Sequence, residues 1–132
     1  MTTPDERFRA LVQFPRMLAA AIADEQLPTA LRAQAQALHA CFPDEALWHG
    51  LSASRTQGLT PDIASTLEAA AEWVVKIQVG PKRSAELTRW CEWAERRFPS
   101  RDEVQVQRQA ARERTSTLWP SIDDWIQPPA VR

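Results

Sequence analysis

Leu31-Arg32-Ala33-Gln34-Ala35-Gln36-Ala37-Leu38-His39-Ala40-Cys41-Phe42-Pro43 sets its apolar residues Leu31, Ala35, Leu38 and Phe42 at i, i+4, i+7 and i+11, then meets a proline. Leu87-Thr88-Arg89-Trp90-Cys91-Glu92-Trp93-Ala94-Glu95-Arg96-Arg97-Phe98-Pro99 repeats the pattern at an offset of 56, with Leu87, Cys91, Ala94 and Phe98 on the stripe. That spacing places one apolar face on an α-helix. Proline, which has no N–H to donate, ends it. The echo therefore predicts two similar helical hairpins. Positions that recur are those packing requires, and positions that differ mark a surface one copy has specialised.

Working outward, Thr3-Pro4-Asp5-Glu6 supplies a cap residue, a proline at the first helical position and a glutamate three after the cap, a helix start. Leu11, Leu18 and Ala21-Ile22 extend its stripe, but Pro15 lies inside it and predicts a kink or a division near Phe14. Asp24 to Leu27 reads as a turn, and Pro28 opens the helix that ends near Cys41. Pro43-Asp44-Glu45 starts a short further turn carrying Leu47 and Trp48. The small and polar residues from Gly50 to Thr60 read as the longest internal loop.

Thr60-Pro61-Asp62 caps a helix whose Ile63, Leu67, Ala70, Val74 and Ile77 give the strongest periodicity in the chain, and Gly80-Pro81 stops it. The next helix starts near Ser84 and is expected to pack antiparallel on its predecessor. Ser100-Arg101-Asp102-Glu103 is a capping-box pattern for a fifth, mostly polar helix to about Thr115. Trp119, Ile122 and Trp125 then form an aromatic strap before Pro128-Pro129. No alternating run supports a strand. The expected fold class is all-α: a helical bundle of two consecutive helical hairpins plus a fifth polar helix and a C-terminal aromatic strap. The whole of residues 1–132 forms a single domain, divided as 1–49 first hairpin, 50–60 loop, 61–99 second hairpin and 100–132 polar helix and strap.

At 132 residues the chain is long enough to bury a core without disulfides. Its two cysteines, Cys41 and Cys91, sit in helical patterns and read as reduced core thiols. No apolar run approaches the ~20 residues that span a bilayer, and Met1 to Glu6 lacks the parts of a signal peptide, so a cytoplasmic, membrane-free protein is expected. The net charge of -1 supplies no global field for nucleic acid or an anionic membrane.

Chemistry is sparse. His39, Cys41, His49 and Cys91 are all the soft metal ligands present, and His39 and Cys41, two apart on a helix, point to separate faces; no metal is expected. A Cys91–histidine pair lacks an oxyanion device, and Glu68 with Glu72 reads as a solvated carboxylate pair. Three glycines make no phosphate-binding loop. The reading is a non-enzyme with no cofactor.

Tryptophan is the outlier: six Trp, four Phe and no Tyr. With Leu87 at the centre of its stripe, Trp90 lies about 60° and Trp93 about 120° to one side. The aligned residues of the first copy, Gln34 and Ala37, carry no rings. Two coverings fit: Trp119, Ile122 and Trp125 folding back on the pair, or a partner protein held by Trp90, Trp93, Arg89, Arg96 and Arg97, residue types enriched in binding hot spots. Trp119 and Trp125 belong to this protein-binding set too. The expected function is a protein–protein interaction module, in the style of a small bacterial inhibitor, immunity or counter-defence protein, meeting another protein or its own copy as a homodimer. The alternative is a nucleic-acid-binding regulator using Arg101, Arg108, Arg112 and Arg114 on the helix at 101–115.

The first 43 residues resemble a family of short uncharacterised bacterial proteins with a Thr-x-Pro-x-Glu-Arg-x-Arg-Ala opening, a later Leu-Pro-x-x-Leu-Arg and a terminal aromatic-Pro. Here these are Thr2 to Ala10, Leu27 to Arg32, and Phe42-Pro43, while Phe14-Pro15 departs from the pattern. The family has no assigned activity, so the resemblance implies a bacterial helical protein and carries over no functional residue.

Overall fold

A computed structural model describes residues 3–53, 60–112 and 125–127. Among the described residues the chain is all-α, with six helices: α1 (Pro4–Ala23), α2 (Thr29–Cys41), α3 (Glu45–Ala53), α4 (Pro61–Gln78), α5 (Ala85–Arg97) and α6 (Arg101–Arg112). Five of these starts are fixed by side-chain caps, while α2 begins after Pro28 without one. Thr3, Thr60 and Ser84 accept the N–H groups of Glu6, Ile63 and Leu87 at 3.2, 3.3 and 3.1 Å. Asp44 and Ser100 do the same for Leu47 and Glu103 at 2.8 and 3.2 Å. Each bond satisfies a donor that the first helical turn leaves orphaned.

The ends of α2 and α5 follow from Phe-Pro. A residue before proline is pushed out of the helical region. Phe42 and Phe98 accordingly have ψ of 133° and 139°, while their own N–H groups still reach Leu38 O and Ala94 O at 2.8 and 2.9 Å. The two prolines that follow are buried.

The repeat is larger than a pair of hairpins. α2 and α5 are each 13 residues long, and both bounds of α2 moved by 56 give those of α5 (29 to 85, 41 to 97). The starts of α3 and α6 also differ by 56 (45 to 101). Buried positions of α1 map in the same way onto α4: Phe8 on Ala64, Leu11 on Leu67, Phe14 on Ala70, Met17 on Trp73, Leu18 on Val74, Ala21 on Ile77. Trp48 of α3 maps on Val104 of α6, both fully buried. The unit is therefore three helices, used twice.

The same exchange holds for which helices touch, though not for how extensively. α1 contacts α2, α3 and α5, while α4 contacts α5, α6 and α2, so swapping the units converts each principal contact into another one. α5 packs on α4 as expected of a second hairpin, and more extensively on α1, while the main neighbour of α4 is α6. The buried residues of α4 spread over more than one stripe, which lets it serve α2 and α6 together. The two Phe-Pro ends meet in the middle. Phe14 stacks on Phe98 with ring centroids 4.2 Å apart and lies 5.1 Å from Phe42 and 6.1 Å from Trp73. Trp73 Nε1 donates to Leu31 O at 3.0 Å, tying α4 to α2.

Three further expectations change. α1 runs undivided through Pro15, because Leu11, Phe14 and Leu18 around it are all fully buried. Burial at about 1.5–3 kcal/mol per large apolar side chain outweighs the roughly 3 kcal/mol of an interior proline. Gly50 to Ala53 belong to α3, where Trp48 and Leu51 are buried, rather than to a loop; 54–59 lie outside the described residues. Cys41 is exposed, not core, since it sits at the edge of the Leu31–Ala35–Leu38 stripe; only Cys91 is buried.

The joints between helices are held by polar latches. Asp24, 6% exposed, accepts the N–H of Gln26 at 2.9 Å and that of Ser84, the cap of α5, at 2.7 Å. Burial pushes its carboxyl upward, but the accepted bonds from Ser84, Gln26 and Leu27 prevail and leave it below the ordinary carboxylate value. On the α4–α5 side, Arg83 donates to Ile77 O and, at 3.3 Å, to Thr88 Oγ1, and Gln78 Nε2 donates to Cys91 O at 3.2 Å.

Candidate interaction surface

α5 carries the sequence-selected surface. Ser84 sets its first turn, and Leu87, Cys91 and Ala94 turn inward. With that face fixed, geometry places Trp90 and Trp93 at its flank, and both are half-buried against the core. Their rings meet edge to face, 5.1 Å between centroids at 87°. That is a preferred aromatic geometry, worth about 0.5–1.5 kcal/mol beyond area burial. Arg89, Arg96 and Arg97 are exposed on the same helix, with Arg96 and Arg97 in its last turn, where they face the negative end of the helix dipole. The half-exposed ring pair and its arginines form one edge.

Trp125 is elsewhere. It is 6% exposed, with the Arg7 guanidinium 5.8 Å over its ring and Arg7 Nε donating to its carbonyl at 2.7 Å. Gln127 N–H reaches Pro4 O at 3.2 Å, so this part of the strap is docked on the start of α1. Among the described residues Trp125 makes no ring contact with Trp90 or Trp93. Trp119 and Ile122 lie outside the described residues.

The nucleic-acid candidates divide. Arg101 opens α6 and pairs with Glu72 of α4 at 3.1 Å. Arg108 and Arg112 are on α6, which turns Val104 and Gln107 inward, but their side chains, like all of Arg114, lie outside the described residues. The Phe98-Pro99-Ser100 joint, which places two helices in the order of a helix-turn-helix, has its twin in Phe42-Pro43-Asp44 between α2 and α3. It belongs to the repeated unit.

The remaining reactive side chains are dispersed. His39 and Cys41 are exposed; His49 pairs with Glu45 at 3.6 Å and meets the ring of Phe8 edge on at 4.8 Å. Burial, aided by Glu92 and opposed by Arg83, pushes the Cys91 thiol up, holding it in the protonated, unreactive form. Among the described residues no three His, Cys, Asp or Glu side chains converge to hold a metal, and no helix is long and apolar enough to cross a membrane.

A second surface has no signature in the sequence. Between α2 and α4 lies an open depression of about 260 Å³, lined by Gln34, Ala37, Leu38, Ala69, Trp73 and Lys76, with Glu72 at its side. Gln34 and Ala37 are the 56-offset counterparts of Trp90 and Trp93. Small and polar residues on one helix give no hint of it; only the pairing of α2 with α4 reveals it. No family model, curated protein or solved structure matches this chain.

Proposed function

We propose that this protein is a non-catalytic module that binds another protein through the α5 edge, with Trp90 and Trp93 as anchors and Arg89, Arg96 and Arg97 around them. The carrying observation is the half-exposed, edge-to-face tryptophan pair, with which Trp125 makes no ring contact among the described residues. Two pre-packed rings offer large contact area at small entropic cost, and arginine beside them supplies directional donors at the rim. Trp125, buried against the start of α1, is left out of this contact. An inhibitor, immunity or counter-defence protein acts in this way, by occupying a partner's surface.

The test combines exposure with binding. In variants retaining Trp90 or Trp93 as the single tryptophan, iodide should quench the fluorescence of the free protein. Pull-down with wild type, compared with Trp93→Ala and Arg96→Ala, should lose the same protein band in both variants. Sedimentation of the wild type distinguishes a foreign partner from a second copy. Full protection of both rings in a monomer would overturn the reading.

A further inference from the structure

We propose that the protein met by the α5 edge presents an acidic surface: an apolar side chain that seats on the Trp93 ring, and carboxylates that reach Arg89, Arg96 and Arg97. This chemistry rests on the α5 edge being the contact surface. Side chains three and four apart are neighbours on a helix. The neighbours of Trp93 are thus Arg89 and Trp90 behind it and Arg96 and Arg97 ahead of it, three cations and a ring with no carboxylate among them. All three arginines are exposed, and none has an ion pair or hydrogen bond among the described residues. Arg101, by contrast, is held by Glu72 at 3.1 Å. Packing does not call for this charge: the 56-offset counterparts of Arg89, Arg96 and Arg97 are Ala33, Ala40 and Cys41, on a helix of the same length that ends at the same Phe-Pro.

The charges of α5 are sorted by face. With Leu87 as zero and 100° per residue, the tryptophans and the three arginines occupy the arc from about 60° to 180° on one side, whereas Glu95 and Glu92 lie at about 80° and 140° on the other. Glu95 lines the depression that α5 shares with α4. Glu86 is on the tryptophan side but stands in the first turn, about 10 Å along the axis from Trp93. The negative end of the helix dipole, about half a unit charge, offsets only part of Arg96 and Arg97. A partner that covers Trp93 therefore meets a net positive rim, and carboxylates are the acceptors whose geometry matches the guanidinium fork. A phosphate backbone fits less well, because it passes a site as a continuous line of charge. This patch is about 12 Å long from Arg89 to Arg97. Glu86 stands beyond one end and Glu92 along its flank, in a chain of net charge -1.

The test titrates the full ¹⁵N-labelled chain with acetyl-Asp-Glu-Phe-Glu-Asp-amide, its neutral twin acetyl-Asn-Gln-Phe-Gln-Asn-amide, and a ten-residue oligothymidylate. The acidic peptide should shift the indole signals of Trp90 and Trp93 and the amides of residues 89–97, binding about fivefold more tightly than the neutral one, the worth of two exposed ion pairs. Raising the ionic strength from about 0.01 to about 1 M, which shortens the Debye length from roughly 30 to 3 Å, should remove that preference. Arg89→Gln combined with Arg97→Gln should remove it too, with the neutral peptide bound as before. Arg101→Gln should keep it, and Trp93→Ala should weaken both peptides. Equal affinity of the two peptides at the edge would overturn the acidic class and leave the edge standing. Tighter binding of the oligothymidylate at residues 89–97 would overturn it in favour of a phosphate backbone. Absence of shifts there with either peptide, while iodide quenches both rings, also overturns the acidic class alone; rings closed to iodide in the same sample overturn the edge with it.

Discussion

The first and second three-helix units share the length of their middle helices, their Phe-Pro ends and most of their buried positions, yet they differ in what stands at equivalent places. Phe14 corresponds to Ala70, Met17 to Trp73 and Trp48 to Val104, and on the outer face Gln34 and Ala37 correspond to Trp90 and Trp93. The inner differences trade volume between the units, as two halves of one close-packed core require. The outer ones trade nothing, because neither face is fully covered. Differences inside the core thus report packing, and differences outside it report surfaces put to different use.

The sharpest way to break the equivalence is at its centre. Phe14 touches both terminal phenylalanines, Phe42 and Phe98, while its counterpart Ala70 has no ring to offer. Phe14→Ala should therefore cost about 3–5 kcal/mol in urea unfolding, the range for a fully buried phenylalanine whose site cannot collapse. A cost near 1 kcal/mol would show that the two units hold together without this hub.

Pro15 corresponds to Ala71, so the second unit already displays the helix without its proline. Pro15→Ala restores the N–H that bonds Leu11 O. It should stabilise the protein by about 2 kcal/mol, the interior-proline penalty less the entropy the unfolded chain regains. A neutral or destabilising result in thermal unfolding would mean that the ring itself packs productively.

Much of this fold is legible in the order of the residues alone. The caps Thr3, Thr60, Ser84 and Ser100 announce four helix starts, because an oxygen three residues before an N–H is a local event. Phe42-Pro43 and Phe98-Pro99 announce two ends for the same reason. The extent of the duplication is hidden, since Phe14 against Ala70 and Met17 against Trp73 keep burial and not identity. The start of α3 is legible at Pro43-Asp44-Glu45, but its length is hidden because Gly50 and its small neighbours resemble a loop until Trp48 and Leu51 find the core. Which helix meets which is not written in a stripe: chain order pairs α5 with α4, whereas its larger contact is with α1. The same blindness applies to the surfaces. Trp90 and Trp93 stand out on one helix, whereas the α2–α4 groove exists only between two.

The joints 24–28 and 80–84 extend the comparison to polar contacts. Asp24→Asn should cost about 2 kcal/mol, because an amide nitrogen replaces an oxygen facing a backbone N–H and a charge-assisted bond is lost. The pH dependence gives the sign. A carboxyl held below its unfolded value of about 3.9 contributes stability that is complete above that pH and is lost as pH falls through the lower folded value. The gap between wild type and Asp24→Asn should be constant near neutrality and close in acid; a gap that persists at low pH would trace the effect to shape instead of charge.

At the equivalent place in the second unit stands Gly80, with φ of 99°, and the division of labour is clear. The first joint is closed by a carboxylate reaching across to α5, the second by a backbone turn that only glycine adopts freely, followed by Pro81 and the Arg83 bonds. A Cβ on Gly80 would meet nothing within 4 Å, so Gly80→Ala tests conformation without a steric clash. The expected cost is about 1–2 kcal/mol, the penalty of a left-handed β-carbon, and Gly80→Asn should recover part of it because asparagine tolerates that region. Equal costs for alanine and asparagine would point to lost helix-stop geometry. In that case the second joint would depend on its chain path as strictly as the first depends on Asp24.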